Sequence, residues 1–169
     1  FDRKNMITLF AYLFLALFVS FVCSIMEAVL LSTPQSFLIV KHENGNLWAK
    51  TFIDFKNNID KPLSAILSLN TVAHTVGAAG VGAQAVKVFG EASFGIVSAI
   101  LTVLLLLISE IIPKTIGARY WRNLAMISSS IIKGTIIITY PLVVISTIIT
   151  KMISKNRQEQ ITSREEIAA

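Results

Sequence analysis

Apolar residues run along this chain in long unbroken blocks, without the strict alternation of a strand. Between Lys4 and Glu27 lie 22 uncharged residues, between Lys61 and Lys87 another 25, and between Glu91 and Glu110 another 18. About 20 apolar residues in a helix cross a bilayer core, so each block predicts a transmembrane helix. A fourth block is weaker, because Lys133 and Gly134 interrupt it and the clean part, 134–150, holds 17 residues with Pro141 inside. The first block is too long and uniform for a signal-peptide core, and no cleavage site follows it. It predicts a retained helix. Between the first two blocks, Phe37, Leu38 and Val40 precede the turn Asn44-Gly45-Asn46, and Leu47, Trp48, Phe52, Ile53 and Phe55 follow it. Asn and Gly suit a turn and Trp and Phe suit the headgroup level, which predicts two short amphipathic helices on the cytoplasmic surface.

Composition supports the membrane reading. The chain has 169 residues, 54% hydrophobic and 15% charged, with a mean hydropathy of +0.69; a soluble domain carries about 25% charge. The net charge of +5 does not point to nucleic acid, since the basic residues are scattered between apolar blocks. The single Cys23 excludes an intramolecular disulfide or a cysteine metal cluster. Phe1 stands where an initiator Met is expected, so the chain reads as a piece of a longer protein.

Charge also decides the fourth segment. If it crosses, the Lys and Arg residues divide seven against seven and Lys133 is stranded in the membrane. If it lies along or re-enters from the cytoplasmic face, Arg3, Lys4 and Lys87 are outside and the other twelve inside. The positive-inside bias selects the second arrangement, with the N-terminus outside, the C-terminus cytoplasmic and Lys133 snorkelling to the interface. The stretch Met126 to Ile149 is then a kinked interfacial or re-entrant helix, with Ser128, Ser129 and Ser130 near the cytoplasmic face.

Polar residues inside apolar spans are costly and mark function by default. Ser20, Ser24 and Glu27 share one helix face; alternatively the hydroxyls bond back to their own helix and Glu27 sits in water at the helix end. Asn70, His74 and Gly77 share another face. The glycines of the run Gly77 to Gly82 allow close helix approach, and His74 reads as a packing residue before a ligand. The most informative stretch is Ser109-Glu110-Ile111-Ile112-Pro113-Lys114-Thr115. Pro113 has no N–H, so the Ser109 carbonyl loses its helical partner beside a carboxylate, an arrangement with which transporters coordinate cations. The plainer alternative pairs Glu110 with Lys114 at i+4 and lets Pro113 end the span. Two hydroxyls, one carboxamide, one carboxylate and backbone carbonyls form an all-oxygen set for a hard cation, magnesium or sodium. Enzyme chemistry is not expected, because neither a zinc pattern nor paired carboxylates are present.

At these residues the chain resembles the transmembrane domain of the CorC/CNNM family of magnesium transport proteins. The matching pieces are Ser24-Ile-Met-Glu27-Ala-Val-Leu-Leu, Asn70 in Ser-Leu-Asn70-Thr-Val-Ala, and Ser109-Glu110-Ile-Ile-Pro113-Lys114-Thr115, within residues 6–157. Ser109 stands where the family usually has Gly, and His74 where Asn is common. The resemblance implies an all-α integral membrane domain over 1–157, with three transmembrane helices at about 5–31, 62–88 and 92–112, two short cytoplasmic helices, and a juxtamembrane belt at about 120–153. Residues 158–169 would begin a linker to a cytoplasmic pair of CBS modules that binds ATP outside this chain. It also implies a homodimer in the plasma membrane that exports magnesium, coupled to sodium entry. Ser20, Ser24, Asn70 and Glu110 are the implied ligands, supported by Glu27, Ser109, Pro113, Lys114 and Gly117, with Pro113 and Gly117 as the bend. A membrane magnesium sensor or scaffold regulating another transporter is the alternative role.

Overall fold

The structure, a computed structural model, describes residues 3–145 and 148. Among them are helices and turns and no strand. Helix α1 (Arg3–Ser32) leads into a short helical hairpin, α2 (Gln35–Glu43) and α3 (Leu47–Asn57). Helix α4 (Asp60–Phe89) follows, and a single 3-10 turn at Glu91–Ser93 turns the chain back. The third long element is composite: α5 (Phe94–Leu104), a π-helical turn over Leu105–Ile111, and α6 (Ile112–Arg119). Helix α7 (Trp121–Ile138) follows, with a further helical stretch at 140–145. Three helices, Arg3–Ser32, Asp60–Phe89 and Glu91–Arg119, are long and apolar enough to cross a membrane. The expected linker at 158–169 and the end of the expected belt lie outside the described residues.

The burial pattern is that of a membrane protein. Phe10, Phe14 and Phe18 stand on one face of α1, fully outward, with Phe14 at 71% exposure and stacked on Phe18. Ile96, Ile100, Val103 and Leu107 face outward from the third element in the same way. Such faces need lipid, while the backbone polar groups are satisfied inside each helix. Thirty residues make α1 about 45 Å long against a hydrocarbon core of about 30 Å. About three of its turns therefore extend beyond the hydrocarbon core.

Sequence signals explain the helix ends. At the end of α1, the Thr33 amide and hydroxyl both donate to the Val29 carbonyl, at 3.0 and 2.7 Å, and Pro34 takes an extended conformation that ends the helix. The ammonium of Lys56, on α3, donates to the carbonyls of Leu30 and Leu31 at 3.1 and 3.4 Å. A cation there meets the negative end of the α1 dipole and ties the hairpin to α1. Burial pushes the Lys56 ammonium below the ordinary lysine value. Between α2 and α3, Gly45 adopts φ +83°, a left-handed conformation that suits a residue without Cβ.

The core lies at the hairpin end of the molecule. Leu30 from α1, Leu38 from α2, Phe52 from α3, Ile66 from α4 and Ile132 from α7 are each essentially inaccessible. Phe37 meets Trp121 edge to face at 5.0 Å. In α7 the buried residues Ala125, Ser128, Ser129, Ile132, Thr135 and Ile136 recur at three- and four-residue spacing, so one stripe faces the core. Lys133 is exposed, outside that stripe. The helix breaks at Thr139, two residues before Pro141, and 140–145 is helical again, so Pro141 stands in the first turn of the new helix, where its missing N–H costs no hydrogen bond.

Candidate cation site

Contacts between α1 and α4 define an antiparallel register. A Cβ on Gly80 would lie 2.5 Å from the Tyr12 ring, and one on Gly77 would lie 2.2 Å from the Ala16 Cβ. One turn further, the Ser20 hydroxyl and His74 Nε2 are 2.5 Å apart. The next step of the same register sets Ser24 level with Asn70. The glycines expected to permit close approach do so at Gly77 and Gly80, and nowhere along the polar half of the seam.

The third element joins at this level through its π turn. In a regular helix the amide at position 113 would donate to the Ser109 carbonyl, but Pro113 has none and its ring crowds that carbonyl. The chain widens instead: the Ile112 amide donates to the Leu107 carbonyl, five residues back. The Ser109 carbonyl then accepts a hydrogen bond from the Ser24 hydroxyl at 2.6 Å, in a fully buried setting. The Ser109 hydroxyl donates back to the Leu105 carbonyl at 2.6 Å. The carbonyl that proline frees is thus aimed at α1 and held by one of the expected ligands. Ser24 bonds across to the third element and Ser20 bonds to α4, so neither satisfies itself on its own helix.

Asn70 supplies the sharpest observation. It is 8% exposed, and its Oδ1 has no hydrogen-bond partner. Burying such an oxygen unpaired costs roughly 1–3 kcal/mol, and a buried acceptor left open is what a cation site presents. Gln84 Oε1 and Ser128 Oγ are also unpartnered and buried, but neither falls among the expected ligands. Glu110 follows Ser109 directly and is half-buried. Its carboxylate makes no ion pair among the described residues. The plainer pairing of Glu110 with Lys114 does not occur, because Lys114 Nζ lies 3.1 Å from Glu27 Oε2. That ion pair ties α6 to α1 one turn beyond Ser24 and leaves Glu110 uncommitted. Pro113 is fully buried. Gly117 lies within α6, where a Cβ would come 2.9 Å from the Ile25 carbonyl and 2.8 Å from the Ala28 Cβ. It lets α6 pack on α1; the irregularity of the third element is the π turn, not Gly117.

Sequence reasoning missed two features. It read His74 as a satisfied packing residue, with which the contact to Ser20 accords, but did not foresee that Ser20 is the partner. The available signal was the shared face of His74 and Asn70. It foresaw the free Ser109 carbonyl but not the widened turn, whose signal was a proline four residues after a polar residue in an otherwise apolar helix.

Fold and site together define a multi-pass membrane domain with a cluster of polar oxygens where three helices meet. Residues 11–169 match the family described as the Cyclin M transmembrane N-terminal domain, and the chain belongs to that family. The resemblance carried by Glu110-Ile-Ile-Pro113-Lys114-Thr115 is borne out. A UPF0053 protein of Synechocystis sp. is 32% identical over 162 residues, 96% of this chain and 47% of that protein. A UPF0053 protein of Haemophilus influenzae is 32% identical over 172 residues, 98% of this chain and 41% of that protein. The UPF0053 inner membrane protein YfjD of Escherichia coli is 28% identical over 113 residues, 67% of this chain and 26% of that protein. The chain spans about half the length, or less, of these curated relatives.

Proposed function

We propose that this domain moves magnesium out of the cytoplasm, coupled to sodium entry, through an intramembrane site of oxygen ligands. The observation that carries the reading is the buried, unpartnered Oδ1 of Asn70, level with Ser24 and the Ser109 carbonyl at an interrupted helix. Glu110 supplies the charge, and Asn70, Ser20 and Ser24 supply neutral oxygens. Each serine can donate its proton to a neighbour and still offer a lone pair to the ion. Magnesium fits a site with one carboxylate and few protein ligands. The π turn is where the third element yields; movement there releases the Ser109 carbonyl from Ser24 and offers it to the ion. The domain works as a homodimer in the plasma membrane, with its N-terminus outside and its C-terminus cytoplasmic. ATP acts through a regulatory region beyond this chain.

The test is flux in proteoliposomes that carry a magnesium-sensitive dye. A sodium gradient drives magnesium movement in the native chain, and Glu110→Gln and Asn70→Ala each reduce it at least tenfold. Calorimetry on the same proteins shows magnesium affinity falling in parallel; unchanged affinity in both variants removes the site. Intact binding without sodium-dependent flux selects the sensor or scaffold role.

A further inference from the structure

The contact between Ser20 and His74 sets an imidazole nitrogen against one of the expected oxygen ligands. His74 Nε2 lies 2.5 Å from the Ser20 hydroxyl oxygen. In the tautomer that accepts the Ser20 proton, Nε2 presents its lone pair toward α1, and a lone pair on imidazole nitrogen is what a metal takes. Two ligand atoms in neighbouring octahedral positions about 2.1 Å from a divalent ion lie about 3 Å apart. Ser20 and His74 therefore need to part by only about half an ångström to grip one ion side by side. One helical turn from His74 on the same face is Asn70, the buried oxygen without a partner, and one turn from Ser20 is Ser24.

We propose that His74 is a ligand that sets cation preference, so that this site binds first-row transition-metal divalent ions, manganese the weakest among them, more tightly than magnesium. The inference rests on the cation site described above. An all-oxygen set favours magnesium, whereas imidazole suits later first-row ions, whose affinity for a nitrogen ligand rises along the series from manganese. Magnesium also holds its waters strongly and gains little from a nitrogen. One imidazole among oxygens thus tips the balance without a cysteine or a second histidine.

Manganese is the probe, because its electron spin reports a coordinated nitrogen directly. Pulsed electron paramagnetic resonance on the purified chain loaded with manganese shows imidazole nitrogen coupling, and His74→Asn removes it. Calorimetry shows the native chain binding manganese at least tenfold more tightly than magnesium, and His74→Asn brings the ratio close to one by weakening manganese. His74→Gln, a longer carboxamide, gives the same loss if the first variant folds poorly. Manganese bound through Glu110 with no nitrogen coupling, or an unchanged ratio in both variants, overturns the role of His74 and leaves the cation site standing. Binding of both ions that is indifferent to Glu110→Gln and Asn70→Ala overturns the site and this inference with it.

Discussion

Along one seam, α1 and α4 meet in two different ways. Between Tyr12 and Ala16 on α1 and Gly77 and Gly80 on α4, the Tyr12 ring and the Ala16 methyl rest directly on the glycine backbones. Between Ser20 and Ser24 on α1 and Asn70 and His74 on α4, the space is filled by polar groups. In the first half, small residues let backbones approach and dispersion holds the pair. In the second, hydroxyl, imidazole and carboxamide take the room that the glycines give up, and one oxygen stays unpaired. The close half locks the register; the polar half uses the register to bring donors from three elements to one level. Stability and chemistry are thus separated along a single interface by about two helical turns.

Enlarging Gly77 tests the close half and carries the largest effect. Gly77→Ala puts a methyl group 2.2 Å from the Ala16 Cβ, and such overpacking costs about 1–3 kcal/mol. Unfolding in detergent measures it, and Ala16→Gly in the same chain recovers at least half of the loss. No loss in the single variant means that the seam is not close-packed.

The polar half responds in the opposite sense. Asn70→Leu removes an unpaired buried oxygen, so the metal-free protein gains about 1 kcal/mol while magnesium binding weakens at least tenfold. Thermal unfolding with and without the ion reads both changes. A variant that is destabilised without metal shows Asn70 to be structural.

The ion pair of Glu27 and Lys114 has the smallest effect. Lys114 is 42% exposed, and a pair so placed is screened, so a double-mutant cycle with Glu27→Gln and Lys114→Met yields a coupling of about 0.5 kcal/mol that shrinks further in high salt. A coupling several times larger would make the pair a structural anchor of the polar half.

Much of the molecule was legible before any coordinates. The helical hairpin followed from Asn44-Gly45-Asn46 between aromatic stretches, and the freed carbonyl of Ser109 from Pro113. The partners of those groups were not legible. Lys114 has Glu110 four residues before it and pairs instead with Glu27 on another helix. Ser24 has its own helix carbonyls at hand and bonds to Ser109 instead. Local spacing ranks the options within one helix; it carries no information about which foreign helix face arrives, because that depends on how Gly77, Gly80 and Gly117 let the helices approach.

By itself the sequence determined that this chain lies in a membrane, that three of its segments cross, and that a handful of polar residues are out of place there. Those conclusions need only the cost of burying charge and the length of a helix. Tertiary structure decided that the Ser109 carbonyl faces Ser24, that His74 faces Ser20, that Lys114 answers Glu27, and that Asn70 is left with an open oxygen. Each of those depends on register between helices far apart in the chain, which close packing at glycine sets and no single segment encodes.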